Sequence, residues 1–259
     1  MPRPPARTVI ASTLSAAALL SASACSLGDL DKAIRGVPEA VTPADTTTAP
    51  PTPAAAPTLT EAQARAALIS EADLGGGWVP TQGFATWRDS MLKASAESAD
   101  CGRLLDALYT EELFGPDART RASVGLDDEW GGAQLRYQVV AHRPAELDRT
   151  LAWLGSLPEK CGEFIATAGG GEMAVEVSAA EMPEVGDARV GLRIVLSAVS
   201  EDEDAPTLTL HVAAVRVGDD AITLTNGGLA EVPSDATSAA VELGAGRLTE
   251  ARKRGREDV

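Results

Sequence analysis

The sequence predicts an α+β fold: an antiparallel β-sheet with helices packed on it, preceded by a signal peptide and a disordered tether. Three observations predict it. The second half of the chain alternates apolar and polar residues in runs parted by short Gly- and Asp-rich breaks. Period-two alternation builds half-buried strands, and breaks this short favour hairpins. Several stretches space their apolar residues at i, i+3 or i+4, and i+7, the spacing of a helix lying on a core. Ahead of them runs a Pro- and Thr-rich segment that cannot build a core.

The chain opens with Arg3 and Arg7 and no acid, followed by an apolar stretch over 9–20. A bilayer span needs about 20 helical residues, so this stretch is too short to cross and suits a signal peptide. It leads into Leu20-Ser21-Ala22-Ser23-Ala24-Cys25. Small residues before a cysteine, behind a short hydrophobic run, look like a bacterial lipobox. Ala22 departs from the Leu usual three residues before the cysteine. Ala22-Ser23-Ala24 also fits ordinary signal peptidase; the cysteine directly after it favours the lipobox. On that reading residues 1–24 are removed and Cys25 is lipidated on its sulfur. Each buried CH₂ of the acyl chains adds about 0.8 kcal/mol, so several chains anchor stably. The expected location is the outer face of the cytoplasmic membrane.

Residues 25–59 read as the tether. Pro38, Pro43, Pro50, Pro51, Pro53 and Pro57 are interspersed with threonines, which gives polyproline II character. At about 3.1 Å per extended residue, such a segment reaches roughly 100 Å. Its Thr-Pro clusters are candidate O-glycosylation sites.

Net charge is −16. Residues 1–24 carry two arginines and no acid, so their removal takes it to −18. A chain this acidic repels nucleic acid and anionic headgroups, so no nucleic-acid partner is expected. The remaining length suits one domain, at 60–255, with a short tail at 256–259. Aromatic residues are 3% of the chain, so the core must be Leu, Val, Ala and Ile. With Cys25 set aside, Cys101 and Cys161 remain. In an oxidising compartment they are most simply a disulfide, stabilising by about 4 kcal/mol in the chain-entropy model. A metal site competes poorly: there is no CxxC, and His142 and His211 are the only histidines. No metal and no cofactor are expected.

Thr60 followed by Gln63 forms a capping box, and Ala62, Ala66 and Ile69 share a face, predicting a helix over 61–71. Gly75-Gly76-Gly77 breaks it. Cys101, Leu104, Leu105 and Leu108 place a second helix over 100–113 with the cysteine on its buried face. Leu135, Tyr137, Val139 and Ala141 alternate with Gln134, Arg136 and Gln138, a half-buried strand that residues 121–126 can pair across Trp130-Gly131-Gly132. Pro144 opens a third helix, lined by Leu147, Leu151 and Leu154 and stopped by Pro158. Strands follow at 163–168, 173–180, 190–199, 206–217 and 220–226. Ser234 caps a last helix to about 254, whose Arg252, Lys253 and Arg254 complement the dipole.

Taken in order, these features resemble the actinobacterial lipoproteins related to the extracellular sensor domain of mycobacterial serine/threonine kinases. The likeness rests on Leu68-Ile69-Ser70 through Asp73-Leu74-Gly75-Gly76-Gly77-Trp78. A cysteine near the second helix, Trp153 with Cys161 behind it, Gly186-Asp187, and Val215-Arg216-Val217-Gly218-Asp219 extend it over most of 60–254. The resemblance implies an antiparallel sheet with flanking helices, a disulfide and a cleft for a small ligand. This chain departs in having one cysteine pair where the kinase sensors have two, and neither kinase domain nor transmembrane helix.

Catalytic chemistry finds little support. A hydrolase triad needs a nucleophile, a base and an orienting acid. His142 and His211 each read as structural, and no Gly-x-Ser-x-Gly elbow accompanies them. Asp127-Asp128-Glu129 and the acidic run at 201–204 read as loops, the latter a weak candidate for calcium. Gly75-Gly76-Gly77 lacks the lysine of a phosphate-binding loop. Trp153 reads as core; Trp78, Trp87 and Trp130 fall in expected loops and are candidates to line a cleft. The expectation is therefore a non-enzymatic, sensor-like lipoprotein domain binding a small molecule or a cell-envelope component. The alternative is a protein-interaction accessory of a membrane or cell-wall complex, its protein partner unknown.

Overall fold

The computed structural model describes residues 59–169, 171–200, 205–229 and 232–257. The signal segment, Cys25, the tether before Leu59, the acidic run at 201–204 and the last two residues of the tail lie outside the described residues. Nine strands form one sheet: β1 (Trp78–Pro80), β2 (Ser95–Ala96), β3 (Arg119–Asp128), β4 (Gln134–Ala141), β5 (Glu163–Ala168), β6 (Gly171–Ala179), β7 (Ala188–Ala198), β8 (Thr207–Val217) and β9 (Asp220–Gly228). Their order is β1–β3–β4–β9–β8–β7–β6–β5–β2, and every pairing is antiparallel. Both edge strands are very short, which limits open backbone for stray pairing.

Five helices pack on this sheet: α1 (Glu61–Ala66), α2 (Glu71–Leu74), α3 (Ala99–Thr110), α4 (Pro144–Lys160) and α5 (Ser234–Glu257). They divide between its faces. Along β8, Leu208, Leu210, Val212 and Ala214 join the core beneath α3 and α4, with Met173, Val175 and Val177 of β6 and Leu192, Ile194 and Leu196 of β7. The alternate residues Ala213, Val215 and Val217 join the core beneath α1 and α5, with Leu135, Tyr137 and Val139 of β4 and Ile222 and Leu224 of β9. Alternate side chains of a strand point to opposite faces. Each face is therefore covered over only part of its width, and the two covered parts meet at β8. Leu59 is buried in the α5-side core.

Cys101 of α3 and Cys161 at the end of α4 are joined in a disulfide, their Cα atoms 5.6 Å apart. Both are buried. Asp100 reinforces the join, accepting from Trp153 Nε1 at 2.9 Å and pairing with Lys160 Nζ at 3.0 Å. The Arg103 guanidinium lies 3.8 Å from the Trp153 ring centroid, so Trp153 is packed as expected of a core residue.

Several expectations are corrected. The first helix does not run to 71. It ends at Ala66, capped by Ala67, and Ser70 starts a separate turn, α2, in which Asp73 Oδ2 accepts from the Ser70 N–H at 2.7 Å. Pro158 does not stop α4, which continues to Lys160; the proline forgoes the one ladder bond its N–H would have made, and the next turn still closes, with the Cys161 N–H donating to the Leu157 carbonyl. Trp78 lies in β1, and Asp127 and Asp128 lie in β3 rather than in a loop. The last helix extends to Glu257. The strands at 163–168, 173–180, 190–199, 206–217 and 220–226 lie within two residues of where alternation placed them.

Candidate functional site

Over β3, β4 and β9 the face that α3 and α4 occupy is covered at Val140 and Ala221, which join that core, and opens toward Gln134 and Arg136. The alternation that sends Leu135, Tyr137 and Val139 into the core sends Gln134, Arg136 and Gln138 to this face. Register sets their neighbours: Asp127 opposite Gln134, Gly125 opposite Arg136, Ser123 opposite Gln138. On the other side Thr225 pairs with Arg136 and Thr223 with Gln138. The result is a polar strip three strands wide, on a sheet whose opposite face carries the core beneath α1 and α5.

One wall comes from the end of α3. Glu111 caps it in the left-handed region, at φ 59°. Outside glycine such a conformation is uncommon and costs of order 1 kcal/mol. It aims the carboxylate between two arginines: Glu111 Oε1 pairs with Arg88 Nη1 at 2.8 Å and Oε2 with Arg136 Nε at 3.0 Å. Arg88, on a five-residue π-helical turn (Arg88–Leu92), also donates to the Tyr109 carbonyl from Nε at 3.0 Å and from Nη2. Beneath this wall Gln138 and Thr223 are buried, with a void of about 10 Å³ beside them, room for about one water.

The floor ends in an open cavity of about 350 Å³, lined by Phe84, Trp87, Asp127, Asp128, Gln134 and Leu229 together with residues 83, 85, 86, 132 and 133. That volume is within the range of small-molecule sites. Gln134 organises it. Its Nε2 donates to Asp127 Oδ1 at 2.8 Å and to the Gly83 carbonyl at 3.2 Å, and its Oε1 accepts from the Ala85 N–H at 3.2 Å. Thr81 Oγ1 donates to the same Asp127 oxygen at 2.8 Å. One glutamine and one aspartate thus tie the 81–87 segment to the sheet. Trp87 lies over Gly227, where an added Cβ would stand 3.3 Å from the indole Cη2 and 2.2 Å from Leu210. Only glycine lets the ring approach the sheet so closely.

Of the tryptophans expected near a cleft, the structure brings Trp87 to the cavity. Trp130 sits on the adjoining β3–β4 turn, 81% exposed, with its ring over Gly77. Trp78 packs against the α5-side core. His142 follows β4 and does not line the cavity. His211 is buried, with Nε2 2.8 Å from the Val232 carbonyl. The carboxyls whose titration is most clearly displaced also lie elsewhere. Arg247 holds Asp73 low, and burial pushes Asp220 up against the pull of Arg252. Among the described residues no three His, Cys, Asp or Glu side chains gather as a metal set. Sequence reasoning missed Phe84, Leu229 and the Arg88–Glu111–Arg136 bridge. The only signal for the floor was the polar alternation of Gln134, Arg136 and Gln138.

Fold and site together define an antiparallel sheet domain with a half-open polar face and a partly aromatic cavity at its end. No family model matches the sequence, and no curated protein matches it. Among solved structures the chain is similar to the extracellular domain of PknH from Mycobacterium tuberculosis, with 11% sequence identity and a TM-score of 0.44 over 77% of this chain and 100% of that one. It is also similar to a putative uncharacterised protein from Mycobacterium smegmatis, the Rv0999 ortholog, with 16% identity and a TM-score of 0.40 over 76% of this chain and 100% of that one. The mycobacterial kinase sensor domain that the ordered sequence features resemble is thus among its structural neighbours.

Proposed function

We propose that this chain is an extracytoplasmic lipoprotein whose single domain is a non-catalytic binding module for a small molecule or a cell-envelope component. Cys25 carries the lipid, and the Pro- and Thr-rich tether holds the domain away from the membrane. The observation that carries the binding assignment is the open half-face of the sheet. A polar floor of Ser123, Gln134, Arg136 and Thr225 ends in a cavity of about 350 Å³ with Trp87 and Phe84 on its wall. Convergent polar groups beside aromatic surface are the usual makings of a ligand site. Arg88, Glu111 and Arg136 are engaged with one another, and neither His142 nor His211 lines the cavity, which supports binding rather than turnover.

A thermal-shift screen of the purified protein against envelope lipids, glycans and peptides tests this reading. A saturable stabiliser that loses its effect in Gln134→Ala is expected. No stabilisation by any small ligand, combined with a co-purifying protein, would overturn it in favour of the second reading. That second reading, an accessory docking on a membrane or wall complex, is favoured by one observation. Phe84, Trp130 and Leu229 are exposed at 76%, 81% and 46%, and all three belong to the segments that frame the cavity. Clustered exposed apolar side chains are a mark of interaction surfaces.

A further inference from the structure

We infer that the end cavity takes an organic cation, a quaternary or primary ammonium group on a small body; this rests on reading the groove as a binding site. Among the described residues that line the cavity, two carry charge, and both are carboxylates, Asp127 and Asp128. The nearby cation, Arg88, is committed to the Tyr109 carbonyl and to Glu111. Its guanidinium also lies 4.8 Å from the Phe84 ring centroid, which leaves Trp87 as the aromatic wall without a cation of its own.

Each carboxylate holds the frame with one oxygen. Asp127 Oδ1 accepts from Thr81 and Gln134, and Asp128 Oδ1 accepts from the Trp130 N–H at 3.0 Å. Among the described residues no donor is bonded to Oδ2 of either. Asp128 Oδ2 lies against Gly131 in the turn, so Asp128 adds charge to the lining while Asp127 Oδ2 keeps its acceptor capacity; both carboxylates are fixed by their bonds at Oδ1, and little ordering remains to be done on binding.

Charge and surface then select the ligand class. A phosphate or carboxylate would face two like charges with no compensating cation among the described residues of the lining. A hard metal ion requires six or more oxygens around it, and Trp87, Phe84 and Leu229 occupy that space instead. An ammonium group uses both kinds of lining, neutralised by the carboxylates and attracted to the indole. The net charge of −16 further raises the local concentration of cations.

The pair choline and 3,3-dimethylbutan-1-ol, alike in shape and differing in charge, tests this by calorimetric titration of the full mature chain. Choline is expected to saturate one site at least tenfold more tightly than the neutral alcohol and to weaken as salt rises. Asp128→Asn and Asp127→Asn should each weaken choline about tenfold, while Glu129→Gln, exposed on the same turn but outside the lining, should not. Matching thermal midpoints would establish that the variants are folded. Equal binding of choline and the alcohol would overturn the cation assignment and leave the groove as a binding site. No binding of either at millimolar concentration would also overturn it. If the ligand screen were empty as well, the binding reading would fall with it.

Discussion

Asp73 binds α2 to α5 through both its oxygens. Oδ1 accepts from Arg247 Nη2 at 2.7 Å and Oδ2 from Nη1 at 2.8 Å, while the Ser70 N–H reaches Oδ2. The Arg247 bonds, helped by Ser70 and opposed by burial, hold the carboxyl at about 2 rather than the ordinary 3.8. A folded pKa below the unfolded one gives a contribution that is complete above the unfolded value and lost as pH falls through the folded one. Stability should therefore decline from about pH 4 toward pH 2 by this route. Asp73→Asn should flatten that limb and lower stability at pH 7 by about 1–3 kcal/mol, the scale of a lost charge-assisted hydrogen bond. Urea unfolding across pH measures both, and a variant curve parallel to the parent's would refute the assignment. Asp220 has the opposite sense, since burial raises its carboxyl. Arg252 pairs with it from α5, over Gly218 at φ +63°. Arg252→Ala strands a buried carboxylate and should cost about 3–5 kcal/mol. Arg252→Met combined with Asp220→Leu should recover most of that loss in the same assay.

Within α5, packing and propensity act against each other at two neighbouring glycines. A Cβ on Gly244 would stand 2.2 Å from the Tyr137 hydroxyl, whereas one on Gly246 meets nothing within 4 Å. Tyr137 cannot easily yield: it is fully buried, and its hydroxyl donates to the Ala67 carbonyl at 3.2 Å. Gly246→Ala should stabilise by about 0.5–1 kcal/mol through helix propensity. Gly244→Ala should destabilise by about 1–3 kcal/mol through overpacking, despite the same propensity gain. Thermal midpoints of the two variants should move in opposite directions. The contrast also shows what was legible in the sequence. Met173, Val175 and Val177, or Leu192, Ile194 and Leu196, declare their strands by local alternation alone. The division of the first helix has a local signal that went unread, the second capping box of Ser70 and Asp73; the bond from Asp73 to Arg247, 174 positions away, has none. The cavity is similar. Gln134 read correctly as the polar side of a strand, but its bonds to Gly83 and Ala85 join segments about 50 residues apart. The short β1 and β2 escaped notice because strands this short carry no period to detect.

At the scale of the whole chain, the three cysteines report on both architecture and anchoring. The Cys101–Cys161 bridge spans a sequence separation of 60 and ties the two helices on one face of the sheet. Replacing both cysteines by Ala should lower stability by about 2–4 kcal/mol, mainly by freeing the unfolded chain. Anchoring is tested at the third cysteine. If Cys25 is acylated, Cys25→Ala should release the protein from the membrane fraction. Counting free thiols in denatured, unreduced parent protein separates the two claims in one measurement. Acylated Cys25 with an intact bridge leaves no thiol. A single thiol would mean that the bridge stands and Cys25 is unmodified, so the chain is secreted rather than anchored. Two thiols with the acyl mass retained would mean that the anchor stands and the bridge does not. We expect none, because the bridge is buried in the core beneath α3 and α4 and because the proposed reading has Cys25 acylated.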